Sequence, residues 1–132
     1  MIEMNKCVFL DRDGVLNVEI GRHIMNVEEF VVPEDVPEGL KRLKAAGYKL
    51  IVVTNQSGIA RGYYQAKVVE DCHKVLQGKS DNALDQLYYA PLIDHVSKSL
   101  MRKPDSLMLE KGLAKFNGDP SQSWMIGDKE RD

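Results

Sequence analysis

The sequence predicts an α/β fold built on a parallel sheet. Short apolar runs that stop abruptly at turn residues recur four times along the chain, the mark of strands buried on both faces. Stretches with helical apolar spacing lie between them. The length, 132 residues, is that of one domain. Surface scaling gives roughly 7,000 Å² accessible when folded against about 21,600 Å² unfolded, enough burial for one core.

The first run, Cys7-Val8-Phe9-Leu10, stops at Asp11-Arg12-Asp13-Gly14. Gly21 to Pro33 reads as a loop with room for a short hairpin. Val36, Leu40 and Leu43 then recur at i, i+4 and i+7, and Gly47 supplies a helix stop. The second run, Lys49-Leu50-Ile51-Val52-Val53, stops at Thr54-Asn55-Gln56-Ser57-Gly58. Val68, Val69, Cys72, Val75 and Leu76 mark a second helical stripe ending near Gly78. Leu87-Tyr88-Tyr89-Ala90 is a weaker third run, followed by an irregular loop from Leu92 to Arg102. Leu109, Leu113 and Phe116 mark a third helix, opened by Pro104-Asp105-Ser106 and ended near Gly118. Trp124-Met125-Ile126 is the fourth run and stops at Gly127-Asp128. The alternation is that of a Rossmann-like parallel sheet with flanking helices, without internal repeat, low-complexity tract or linker.

Composition excludes several classes. With 43% hydrophobic and 29% charged residues the chain is an ordinary globular domain, neither a disordered tail, a collagen-like rod nor a disulfide miniprotein. Eighteen basic and twenty acidic residues leave a net charge of -2 and no basic block, so no nucleic-acid partner is expected. Cys7 and Cys72 fall in different elements; two thiols make neither a disulfide framework nor a structural zinc site. The apolar runs are too short to span a membrane and Met1 to Lys6 lacks the apolar stretch of a signal peptide. The expectation is a cytoplasmic protein with no membrane partner.

In an open parallel sheet the carboxyl ends of the strands share one edge, and ligands bind there. Asp11, Asp13, Thr54, Asn55 and Asp128 are thereby expected to meet. Two neighbouring carboxylates repel, and a hard divalent cation removes that cost. Asp128 would bring a third carboxylate, and an oxygen-only donor set favours Mg²⁺ over zinc. Aspartate is also a nucleophile toward phosphorus. Thr54, Asn55 and the backbone N–H groups that follow lie where phosphate oxygens are bound, and Lys103, before Pro104, could add a fixed positive charge. Together these are the parts phosphoryl transfer needs. Each alone has a plainer reading: Asp-Gly makes turns, Thr-Asn-Gln-Ser-Gly caps helices, and lone lysines are solvated. Their joint appearance at strand ends favours the chemistry.

At this point the residues resemble a known family. Phe9-Leu10-Asp11-Arg12-Asp13-Gly14-Val15-Leu16-Asn17 resembles the first motif of the haloacid dehalogenase-like (HAD) phosphatases. Val53-Thr54-Asn55-Gln56-Ser57-Gly58-Ile59-Ala60-Arg61-Gly62 resembles the second motif in the branch holding the D-glycero-D-manno-heptose 1,7-bisphosphate phosphatases and histidinol-phosphate phosphatases. Arg102-Lys103-Pro104 resembles the third, and Met125 to Asp132 the fourth. The resemblance implies that Asp11 is the nucleophile and a Mg²⁺ ligand. It implies that Asp13 is the general acid/base, its backbone carbonyl touching the metal. Thr54 would hold the transferring phosphoryl group, Lys103 would neutralise it, and Asp128 would complete the metal site. Arg12, Glu19, Ile20, Gly21, Arg22, Asn55, Gln56, Ser57, Arg61, Arg102 and Lys129 would line the substrate pocket. His23 lies in the same pocket-wall loop.

Forty residues separate Asp13 from Thr54, and 48 separate Thr54 from Lys103, each gap including a helix and a strand. Neither has room for a cap domain, so an open, capless site is expected. The branch usually carries a Cys-x-His … Cys-x-Cys zinc loop before the third motif; here the cysteines are absent and His95 stands alone, so no zinc is expected. Family members continue past the fourth motif into a fifth, edge strand, whereas this sequence ends at Asp132. The expectation is a single HAD-like phosphatase domain over 1–132 lacking the last edge strand: a natural short form, a truncated one, or one that associates to cover the edge. The expected activity is Mg²⁺-dependent hydrolysis of a small phosphorylated metabolite by a monomer or weak homo-oligomer. Heptose 1,7-bisphosphate is the first substrate and histidinol phosphate the second. A catalytically weak module acting in an assembly is the alternative.

Overall fold

Strand alternation sets the two faces of the sheet. In strand β1 (Lys6–Leu10), Cys7 and Phe9 pack in one apolar cluster and Val8 and Leu10 in another. In β2 (Tyr48–Asn55), Ile51 and Val53 join the first cluster, and Leu50 and Val52 the second. Leu50, Ile51, Val52 and Val53 are each 0% exposed, so β2 is covered on both faces, as its unbroken apolar run requires. Each such side chain contributes about 1.5–3 kcal/mol on burial.

A computed structural model of the chain describes residues 4–56, 58–90 and 107–127. β3 (Gln86–Ala90) and β4 (Trp124–Ile126) complete a four-stranded sheet in the order β3-β2-β1-β4, all neighbours parallel. Leu40 of helix α1 (Asp35–Ala45) and Cys72 and Leu76 of α2 (Ala66–Lys79) cover one face. Met108 of α3 (Leu107–Lys115) covers the other, with Leu109 and Leu113 packed against it. The stretch between Asp13 and Thr54 holds a loop, one 3₁₀ turn (Val27–Glu29), α1 and most of β2. β4 lies at the sheet edge among the described residues, with Trp124 65% and Ile126 41% exposed.

Helix endings depart from the glycine pattern in two places. α1 stops as expected, with Gly47 at φ +94° and its N–H donating to Lys44 O. α2 runs through Gly78 to Lys79, because Ser80 closes it: both its N–H and its hydroxyl donate to Leu76 O. Asp81 and Asn82 take the left-handed turn that follows. After α3 the left-handed residue is Asn117, φ +50°, rather than Gly118. Gly118 answers a packing need, since a Cβ there would lie 2.8 Å from Cys7 Sγ and 2.5 Å from Leu113 Cδ2.

Gly112, inside α3, is a similar case. Its Cβ would lie 2.7 Å from Phe9 Cε1 and 3.2 Å from Ile51 Cδ1. In an open helix Gly→Ala adds about 1 kcal/mol. Here Gly112→Ala reverses that sign and costs about 1–3 kcal/mol by overpacking α3 against the sheet. Urea denaturation reads the midpoint; an unchanged or raised midpoint contradicts the close packing.

Candidate active site

The parallel strands deliver their carboxyl ends to one edge, and hydrogen bonds join the segments that leave it. The Asp11 N–H donates to Ile126 O at 2.9 Å, which sets the end of β4 beside the start of the β1 loop. The Arg12 N–H donates to Asp11 Oδ1 at 2.8 Å. The loop then folds on itself: the Arg12 carbonyl accepts from the N–H groups of Val15, Leu16 and Asn17. Gly14 supplies φ +87°, a conformation that side chains resist. Asp11 and Asp13 thus leave one strand end on a tight, braced turn.

The Asp13 carboxylate is held by three side chains. Arg12 donates from Nη2 to Oδ1 and Oδ2 at 3.0 and 3.2 Å, and from Nε to Oδ1 at 3.2 Å. Asn17 Nδ2 donates to Oδ1 at 3.0 Å and Gln56 Nε2 to Oδ2 at 3.3 Å. Arg12 is 2% exposed, with its guanidinium 5.3 Å from the centre of the Phe30 ring. Its charge is buried and compensated by Asp13, the condition under which such a pair is tolerated. Sequence reasoning places Arg12 and Gln56 in the pocket wall. In the structure Arg12 bonds Asp13, and Gln56 bonds Asp13, Thr54 and Tyr64.

β2 extends two residues beyond its apolar run, so Thr54 and Asn55 are still strand residues, paired with Tyr89 and Ala90. Thr54 is 1% exposed, and its Oγ1 accepts from Gln56 Nε2 at 2.8 Å. The loop after Gln56 turns through three backbone bonds, Ile59 to Gln56, Gly62 to Ile59 and Tyr63 to Gly58, and brings Tyr64 back over the site. The Tyr64 hydroxyl donates to Gln56 Oε1 at 2.5 Å. Tyr64 and Asn17 are the site-linked residues that the sequence reading did not nominate. Asn17 stands four residues after Asp13 in the first motif, a signal available in hindsight. Tyr64 lies beyond the second motif and has no such signal.

Glu19, Ile20, Gly21 and Arg22 form an exposed stretch after the Asp13 turn. Arg22 pairs with Glu29, whose carboxyl is held at about 2, first by the Arg22 bond and then by the Met25 N–H. His23 lies with its ring 5.4 Å from Tyr63 and 6.2 Å from Tyr64, joining this stretch to the loop after β2. Arg61 is exposed on that loop. Ser57, His95, Arg102, Lys103, Asp128 and Lys129 lie outside the described residues. Among the described residues no cluster of three or more His, Cys, Asp or Glu side chains is gathered as a metal site. None of the described helices is long and apolar enough to cross a membrane.

Comparison with known proteins agrees with this geometry. The D-glycero-beta-D-manno-heptose-1,7-bisphosphate 7-phosphatase of Haemophilus ducreyi is 38% identical over 136 residues, covering 96% of this chain and 74% of that protein. The enzyme of the same name from Haemophilus influenzae is 39% identical over 140 residues, covering 98% and 74%. The crystal structure of D,D-heptose 1,7-bisphosphate phosphatase from B. bronchiseptica, complexed with magnesium and phosphate, superposes with a TM-score of 0.85 at 25% identity. That match covers 96% of this chain and 72% of the other. A family model of haloacid dehalogenase-like hydrolases matches residues 7–132. On motifs, sheet and relatives together, the chain belongs to the haloacid dehalogenase-like hydrolase family, as a phosphatase acting on phosphoric monoesters.

Proposed function

We propose that the chain is a Mg²⁺-dependent phosphatase that hydrolyses D-glycero-D-manno-heptose 1,7-bisphosphate at its 7-phosphate through an aspartyl-phosphate on Asp11. The observation that carries this reading is the joined strand edge: Asp11 and Asp13 on one braced turn, with Thr54 bridged to Asp13 by Gln56. The names borne by the relatives supply the sugar.

Asp11 attacks phosphorus, and the bond from phosphorus to the sugar oxygen breaks. Asp13 gives that oxygen its proton, so the sugar leaves with a free hydroxyl. Asp13 then takes a proton from water as the water oxygen attacks the same phosphorus, which releases Asp11 and inorganic phosphate. The Thr54 hydroxyl donates to the transferring group, and Lys103 neutralises it. In this reading Arg12, Glu19 to Arg22, Asn55, Gln56, Ser57, Arg61, Arg102 and Lys129 would line an open, capless pocket. The donor chemistry fits Mg²⁺: Asp11, Asp128 and the Asp13 carbonyl would offer it oxygens only, while Arg12, Asn17 and Gln56 donate to the Asp13 carboxylate. Bound there, the cation screens charge building on the phosphoryl oxygens. The domain is taken as 1–132, a cytoplasmic monomer or weak homo-oligomer needing neither zinc, nucleic acid nor membrane.

Chelation should abolish phosphate release and Mg²⁺ should restore it. With Mg²⁺ present, kcat/KM on heptose 1,7-bisphosphate should exceed that on histidinol phosphate at least about tenfold, the discrimination one or two polar contacts give. The reverse order would move the assignment to histidinol phosphate. No turnover on either, with a stable assembly, would favour a catalytically weak module.

A further inference from the structure

We propose that Tyr64 is a positioning residue for phosphoryl transfer: through Gln56 it fixes the Asp13 carboxylate and the Thr54 hydroxyl in one arrangement. This rests on the roles of Asp13 and Thr54 given above.

The argument follows the hydrogen-bond inventory of one buried amide. Gln56 is 2% exposed. One end of its amide faces Asp13 Oδ2 at 3.3 Å and Thr54 Oγ1 at 2.8 Å. The other faces the Tyr64 oxygen at 2.5 Å and Arg12 Nη2 at 3.4 Å. The guanidinium removes the ambiguity: Arg12 only donates, so the end facing it is the oxygen, and the end facing Asp13 and Thr54 is the NH₂ group. Tyr64 therefore donates. Both amide hydrogens are committed, one to Asp13 and one to Thr54. Thr54 Oγ1 accepts from Gln56, so its own hydrogen points away from Gln56.

Reversing the amide would set its NH₂ group against the Arg12 guanidinium, donor against donor. Arg12 therefore sets which way the amide faces, while the Tyr64 hydroxyl, given that orientation, donates to its oxygen and holds it in place. The Arg12 contact is long for a hydrogen bond, and that side chain is already committed to Asp13 at 3.0 and 3.2 Å. The Tyr64 contact, at 2.5 Å, is the shorter of the two on the amide oxygen and is the one that holds the amide in position.

The fold holds Tyr64 for the purpose. It is 7% exposed, and burial pushes its hydroxyl up to about 12, so it stays a protonated donor at neutral pH. Its ring crosses Gly58, where a Cβ would lie 2.3 Å from Tyr64 Cε1. Only glycine leaves the ring that path.

Tyr64→Phe keeps the ring and removes the donor. With Mg²⁺ and a sugar phosphate, kcat should fall about tenfold, the order of one hydrogen bond realised in the transition state. KM should stay within about twofold, and thermal unfolding should barely move. Gln56→Ala should lower kcat further, and the double variant should match Gln56→Ala alone, since Tyr64 acts through Gln56. Orthovanadate affinity reads the same geometry without turnover and should weaken in parallel with kcat. Wild-type kcat and vanadate affinity in Tyr64→Phe would overturn the inference, as would losses that multiply in the double variant. A wild-type protein that neither turns over substrate nor binds vanadate would overturn the phosphatase reading first, and this inference with it.

Discussion

Asp11→Asn should lower turnover about 10⁴-fold and leave the fold standing. The size follows from the role: an amide oxygen does not displace at phosphorus, and the remaining site catalyses only through binding and electrostatics. The fold survives because Asn Oδ1 can still accept the Arg12 N–H that Asp11 Oδ1 accepts at 2.8 Å. Neutralising one of two carboxylates on a single turn also relieves repulsion. Steady-state phosphate release and a thermal melt check both halves. A variant that keeps more than about a tenth of wild-type kcat contradicts the nucleophile assignment.

Asp13→Asn should cost both activity and stability. As acid/base, Asp13 is worth about 10²–10⁴-fold on a substrate whose leaving alkoxide needs a proton. p-Nitrophenyl phosphate, whose leaving group needs none, should behave differently: the variant should release one equivalent of nitrophenolate in a burst and then stall. The stability loss comes from Arg12, whose side chain is 3% exposed and would lose its counter-ion. The new NH₂ would also face one of the donors on Arg12, Asn17 or Gln56. About 2 kcal/mol is the expected order, because Asp13 itself is partly solvated. No burst and no change in the denaturation midpoint would contradict the arrangement.

The sheet was legible in the sequence because strands covered on both faces are written as unbroken apolar runs. Cys7 to Leu10, Lys49 to Val53 and Trp124 to Ile126 lie where expected, and the third run lacks only Gln86. The carboxyl edge followed from topology, which is why Asp11, Asp13 and Thr54 were nominated together. Helix ends were less legible. The left-handed turn at Asn117 and the Ser80 closure are settled by local hydrogen bonds that glycine counting misses. Side-chain direction was the least legible. A motif nominates Arg12 and Gln56 as polar residues near phosphate, but whether they face substrate or Asp13 depends on what lies beneath them. Tyr64 reaches the site only because the loop from Gln56 to Tyr63 turns it back, and no periodicity records that. Lys103 and Asp128 rest on their motifs and remain part of the proposal.

The most direct test is to trap the covalent intermediate. Wild-type protein turning over heptose 1,7-bisphosphate with Mg²⁺ is quenched in acid, reduced with borohydride and digested. An aspartyl-phosphate is reduced to homoserine, so the peptide carrying Asp11 should show homoserine at that position only when substrate was present. Phosphate release with Asp11 unmodified, or homoserine at another aspartate, would contradict the account.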